Sequence, residues 1–177
     1  MAPPAEAAMQ SLTALLLERA ELTPDTEFLL VWDPGSGVVA RLTYFELANM
    51  MVSAAAWLQS EVGLRPGELL PILAENSPEY IALSLGAMAV GAASVNLNWK
   101  QPPPTSASLL TTLGIGMLVA SRHFQRDAVA IHDAVGGEFR LYVRESNEAF
   151  DAPSPAAAST LAASVREVAA DATAAVF

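Results

Sequence analysis

The segment Tyr80–Val90 is apolar nearly all round, with only Ser84 interrupting it. A helix without a polar face must be covered on most of its circumference, so it belongs inside a layered fold. Ser77 followed by Pro78 marks its start, because proline at the first helical position gives up no needed hydrogen bond. Gly91 closes it. Apolar runs of strand length flank it, Leu69–Leu73 before and Ala93–Leu97 after. Strand, buried helix, strand is the unit of α/β folds, in which a mainly parallel sheet carries helices on both faces.

The alternation continues along most of the chain. Met9, Leu12, Leu16 and Ala20 fall at helical spacing. Glu27–Trp32, the turn Asp33-Pro34-Gly35-Ser36-Gly37 and Val38–Leu42 read as a β-hairpin. Thr43 with Glu46 three residues later forms a capping box. Leu47, Met50, Met51, Ala54 and Leu58 then line one helix face, and Gly63, with Pro66 beyond, is placed to end that helix. Pro71 lies inside the run Leu69–Leu73 and cannot donate to a ladder, which predicts an edge strand or one that starts late. Pro102-Pro103-Pro104 reads as a stiff connector, and Leu109, Leu110 and Leu113 as a short helix. Met117–Ala120 reads as a strand, Phe124–Ala134 as a helix and Phe139–Val143 as a strand. Ser146–Ser159 is polar, Pro-bearing and Ala-rich, the pattern of a flexible loop. Leu161, Val165 and Val168 predict one more helical turn or two, and Asp171–Phe177 a terminal buried strand.

Composition narrows the function classes. The formal net charge is −10 with 9 Lys and Arg, so nucleic acid is repelled at long range and no basic stripe offsets this. Anionic membrane surfaces are disfavoured for the same reason. With no Cys, the chain has no disulfide framework, thiolate catalysis or Cys-ligated zinc. Met1–Ala20 carries Glu6 and Glu18 and only Arg19 as a base, which fits neither a secretory signal nor a transit peptide. No apolar stretch has the length of a transmembrane span. These features predict a soluble, intracellular, cytoplasmic chain, with 177 residues enough for one domain with a core.

Motif by motif, the plain structural reading prevails. Gly86 to Ser94 has the glycine spacing of a phosphate loop, but lacks its Lys and runs helix into strand, so helix termination and close packing explain it. Gly35-Ser36-Gly37 lacks the third glycine of a dinucleotide fingerprint and sits in a hairpin turn. Gly114-Ile115-Gly116 precedes no helix. His123 and His132 are nine residues apart, on roughly opposite sides of a helix, and His123 reads as a surface residue at a helix start. Asp33, Glu46, Glu68 and Glu79 sit at turns and helix starts, where acids favour the helix dipole. No catalytic, cofactor-binding or metal-ligating residue emerges.

Several stretches taken in order nevertheless resemble the AMP-forming acyl-CoA synthetases, the adenylate-forming ligases. Leu42-Thr43-Tyr44-Phe45-Glu46-Leu47 is similar to that family's entry to its first conserved helix. Gly63 to Glu68 is similar to its Gly-basic-Pro-Gly-acid turn, and Asn76 to Tyr80 to its Asn-x-Pro-Glu helix start. Leu85 to Asn98 resembles its long helix, Gly-Ala and strand-Asn segment, Trp99-Lys100 an aromatic-basic pair of some members, and Met117–Ala120 the following strand. Asp171 to Phe177 resembles the strand directly before the family's Thr-Ser-Gly-Thr-Thr-Gly phosphate loop.

The resemblance implies that residues 1–177 are a partial domain, the amino-terminal subdomain of a ligase, truncated before that loop. Full-length members activate a carboxylate with ATP and Mg²⁺ to an acyl-adenylate and hand the acyl group to a thiol, usually CoA. At its acyl-CoA synthetase end the resemblance implies fatty acid metabolism. The residues for this chemistry follow the matched region, so this chain is expected to bind no cofactor and to be inactive alone. An open sheet would need the remainder of the ligase or a partner chain to cover it. The alternative expectation is a non-catalytic interaction module, or a degenerate relative, that needs such a partner.

Overall fold

The computed structural model describes residues 11–145, 150, 158–160, 163 and 175–176. Helix α1 (Leu12–Leu22) starts at Ser11, whose Oγ accepts from the Ala14 N–H at 3.2 Å, and it buries Leu16 and Leu17. Met9 lies outside the described residues. Strands β1 (Glu27–Asp33) and β2 (Gly37–Thr43) pair antiparallel as expected. The Asp33 carboxylate closes their turn by accepting from the N–H groups of Gly35 and Ser36 at 2.9 and 2.8 Å.

Helix α2 (Tyr44–Trp57) opens on the expected capping box. The Glu46 N–H donates to Thr43 Oγ1 at 3.2 Å and the Thr43 N–H to Glu46 Oε2 at 2.8 Å, so two otherwise orphaned donors are satisfied. Leu47, Met51, Ala54 and Leu58 are buried as their spacing predicts, with Met50 half-buried beside them. A π-helical turn, Leu58–Val62, follows and ends at Gly63. That glycine has φ 72°, a left-handed conformation that favours a residue without Cβ.

The remaining elements build one sheet. They are β3 (Leu69–Leu73), α3 (Pro78–Ala89), β4 (Ala93–Asn96), α4 (Pro103–Thr112), β5 (Met117–Ser121), α5 (Gln125–Val135), β6 (Arg140–Arg144) and β7 (Ala175–Val176). Strand order is β6-β5-β3-β4-β7, and every described pairing is parallel. The chain steps outward from β3 to β4, then returns past β3 to β5 and β6. Right-handed crossovers place α3 on one face and α4 and α5 on the other. The packing agrees: α3 lies against α2, and α4 against α5. This is the α/β fold with helices on both faces that the sequence predicts.

Gly86 shows why α3 has no polar face. A Cβ there would lie 2.9 Å from the Ala55 nitrogen and 3.1 Å from Ala54 Cβ, so α2 and α3 touch backbone to backbone. Close packing, not phosphate binding, accounts for this glycine.

Three expectations are corrected. Pro71 lies in β3, which is the central strand and begins at Leu69, so it marks neither an edge nor a late start. The carbonyls of Glu68 and Ile72 accept from Ala93 and Leu97 on the β4 side. By the strand's period of two, the Pro71 nitrogen faces β5, where pairing begins only at Ile72↔Val119. The missing donor thus falls just before the β3–β5 ladder. The Pro102–Pro104 connector is also shorter than expected, because Pro103 and Pro104 are the first residues of α4, where their lost N–H groups have no helical partner. In the expected loop Ser146–Ser159, Phe150 is buried and Ala158 and Ser159 are helical, while residues 146–149 and 151–157 lie outside the described residues. Leu161, Val165 and Val168 also lie outside them, and only Ala175 and Val176 of the expected terminal strand are described.

Candidate functional site

In an open α/β sheet, the crevice outside the carboxyl ends of two strands whose connections leave in opposite directions is the usual ligand position. Here those strands are β3, which leads into α3, and β5, which leads into α5 on the other face. A small, open cleft lies at that point. Its floor is Ile72, Val119 and Ala120 from the ends of the two strands. Tyr80 and Leu83 of α3 form one wall, and Arg144 at the end of β6 and Phe150 beyond it form another.

The polar groups around it are mostly committed to one another. Ser77 caps α3, its Oγ accepting from the Tyr80 N–H at 3.1 Å. Ser121 ends β5 only 6% exposed, and its hydroxyl donates to the Glu75 carboxylate. Glu145 pairs with Arg122 at 2.9 Å. The Arg144 guanidinium packs between the rings of Trp57 and Phe150, 4.7 and 4.4 Å from their centroids. Burial pushes the Tyr80 phenol up from its ordinary pKa. The Ser121–Glu75 pair has no imidazole beside it, since neither His123 nor His132 lines the cleft. It holds the ends of β3 and β5 together and does not form a Ser-His-acid relay.

The motifs weighed in the sequence lie elsewhere. His123 is exposed in the short turn Arg122–Phe124, edge-on to the Phe124 ring at 4.7 Å. His132 Nδ1 lies 3.0 Å from the Asp133 carboxylate at the surface. Among the described residues no group of three or more His, Asp or Glu could hold a metal ion. Trp99 is half exposed just past β4, stacked on Phe124 at 5.7 Å, with Lys100 Nζ 5.2 Å from its ring centroid. Among the described residues no helix is long and apolar enough to cross a membrane.

None of the cleft residues was singled out in the sequence as a site. Glu75, Ser121, Arg144 and Phe150 are far apart along the chain, and each looks ordinary locally. The available signal is positional: residues directly after each predicted strand meet at the switch point once the strand order is known.

A doubly wound sheet with a crevice at its strand ends defines a class of nucleotide-using and related α/β proteins. Comparison with known proteins makes the assignment specific. The model of the AMP-binding enzyme family matches residues 16–177, and the chain belongs to that family. It is 33% identical over 95 residues to a crotonobetaine/carnitine–CoA ligase of Escherichia coli, covering 54% of this chain and 18% of that protein. It is 32% identical over 98 residues to the nonribosomal peptide synthetase GRA1 of Gibberella zeae, covering 55% of this chain and 1% of that protein. Among solved structures, the N-terminal domain of FACL13 from Mycobacterium tuberculosis superposes with TM-score 0.66 at 22% identity, over 93% of this chain and 37% of that one. The nonribosomal peptide synthetase FmoA3 gives TM-score 0.65 at 26% identity, over 85% and 15%. The chain therefore spans a small part of each relative's length. These relatives include both acyl-CoA ligases and peptide synthetases.

Proposed function

We propose that this chain is the amino-terminal scaffold of an adenylate-forming ligase. The complete enzyme would activate a carboxylate with ATP and Mg²⁺ to an acyl-adenylate, and then pass the acyl group to a thiol. The observation that carries this reading is the family match running through residue 177, where Ala175 and Val176 align parallel to Ser94 and Val95 of β4. That pairing runs Ala175 and Val176 toward the carboxyl edge of the sheet, the edge at which ligands of such folds bind. In this reading ATP, Mg²⁺ and CoA or a carrier thiol are held by the rest of the ligase, and residues 1–177 are a partial domain. No residue of this chain is assigned to those ligands.

The test is ATP–pyrophosphate exchange by the purified chain with a panel of fatty acids and amino acids. Background rates are expected, and robust exchange would overturn the assignment of the chemistry to the remainder of the ligase. Sequencing the transcript past Phe177 is expected to show a Ser/Thr/Gly-rich loop, and unrelated sequence there would overturn the scaffold reading.

One observation favours a second reading, a non-catalytic module that needs a partner. Leu30 and Trp32, two residues apart on β1, are 44% and 62% exposed, and Phe28, at a bulge of the same strand, is 52% exposed with its ring 4.7 Å from that of Tyr44. Exposed large apolar side chains gathered on one strand are a feature of interaction surfaces. A stable, monodisperse monomer in sedimentation would count against it.

A further inference from the structure

Exposed apolar side chains are unevenly placed on this molecule. Of the twelve large ones that stand exposed among the described residues, eight belong to α1, the hairpin β1–β2 and the first turn of α2. Trp32 on β1 is paired with Val38 on β2, and Leu30, two residues before Trp32, with Arg41. Residues directly opposite in an antiparallel pair share a face, so Leu30, Trp32 and Val38 form one exposed strip. The Phe45 N–H donates to the Pro24 carbonyl at 3.3 Å and the Tyr44 N–H to that of Thr26 at 3.1 Å, which sets the exposed Phe45 at the base of the hairpin.

Charge is uneven in the same place. Residues 11–46 carry six acids, Glu18, Glu21, Asp25, Glu27, Asp33 and Glu46, all exposed, against Arg19 and Arg41. Residues 47–145 carry eight acids against six bases, a near balance over a much longer stretch. The Arg41 guanidinium is taken up by Glu27 at 2.6 Å. Asp33 follows Trp32 at the tip of the hairpin. Asp25 lies between the two carbonyls that hold the start of α2, beside Phe45. The apolar strip therefore has an acid at each end.

We infer that this face docks a basic amphipathic segment of another protein, its apolar side chains on Leu30, Trp32 and Val38 and its Lys or Arg toward Asp25 and Asp33. A second copy meeting this face with its own would set six acids against six, and like charges brought together across an interface oppose association. An anionic membrane is repelled in the same way. A basic partner turns those same charges into steering and register, while the apolar strip supplies the area removed from water. Such a partner is the one that a non-catalytic module calls for, so the site rests on that second reading.

Three peptides test this in amide NMR titrations of the full chain: two repeats of Leu-Lys-Lys-Leu-Leu-Lys-Leu, the same with Glu for Lys, and the same with Ser for Leu. The first is expected to give saturating shifts at Leu30, Trp32, Val38 and Phe45, and the other two none. Trp32→Ser should weaken it about tenfold. Asp25→Lys should weaken it about threefold, while Glu138→Lys, the same charge change at an exposed site between α5 and β6, should leave it unchanged. Added salt should weaken binding to the native chain, a readout that needs no variant to fold. Equal binding of the Glu or Ser peptide, equal loss for Asp25→Lys and Glu138→Lys, affinity insensitive to salt, or an absence of shifts on this face would each overturn the basic partner. Sedimentation of the chain alone separates the two levels. A self-associating chain that binds all three peptides alike keeps the module reading and loses the basic partner, and a monodisperse monomer that binds none loses both.

Discussion

Replacing Gly86 by Ala sets two opposing effects against each other. Alanine is the better helix former by about 1 kcal/mol at an interior position. Against that, its Cβ would lie 2.9 Å from Ala55 N, 3.1 Å from Ala54 Cβ and 3.2 Å from the Ala54 carbonyl carbon. Two of those atoms are backbone and cannot rotate away, so α2 and α3 must separate. Overpacking of this kind costs about 1–3 kcal/mol, and contact with rigid atoms places Gly86 in the upper part of that range. The expected net loss is about 1–2 kcal/mol. Gly116 is the control: its φ is not positive and a Cβ there meets nothing within 4 Å. Gly116→Ala should stay within about 0.5 kcal/mol of native. Urea unfolding followed by circular dichroism reads both, with a lower midpoint and unchanged slope expected for Gly86→Ala. A Gly86→Ala midpoint equal to or above native, or an equal drop for Gly116→Ala, would refute helix contact as the reason for this glycine.

Thr43→Ala removes one arm of the capping box and should cost about 1 kcal/mol in the same assay, with Thr43→Ser restoring most of it. Asp33 accepts hydrogen bonds from the N–H groups of Ser36 and Gly35, which hold its carboxyl below the ordinary aspartate range. The sign follows from linkage: a depressed folded pKa stabilises the hairpin above the unfolded pKa, and this is lost as pH falls through the folded value. Side-chain carboxyl NMR should give Asp33 a midpoint below that of an unfolded aspartate, and an ordinary midpoint would remove this account of the turn. The exposed Arg41–Glu27 pair at 2.6 Å should matter little. Arg41→Ala is expected to cost at most about 1 kcal/mol at low salt and less at high salt, again by urea unfolding.

Local chemistry made much of the fold legible. Thr43 with Glu46, Ser77 with Pro78, and Gly63 each announce a helix end through groups within a few residues, and the structure uses them so. The consequence of Pro71 is not legible locally, because it depends on which neighbour its nitrogen faces, and that is set by strand order, not by the strand itself. The Pro103–Pro104 start of α4 was readable in principle, since first-turn prolines sacrifice nothing. The cleft was not readable. Tyr80, Ser121 and Phe150 become neighbours only after three crossovers, and no short pattern encodes that meeting.

The pairing of β4 with β7 links Ser94 to Ala175 and Val95 to Val176. Most of the sheet's other partners lie closer along the chain, so β3, β4, β5 and β6 can assemble while synthesis is still under way. The outermost strand then has to close a loop of long contact order, the kind of step that makes folding slow. Until it docks, β4 presents bare amide and carbonyl groups along one side, a template for pairing with another nascent chain. Expression at low temperature or slow induction, which lowers the concentration of half-made sheets, is where this topology should show its effect first.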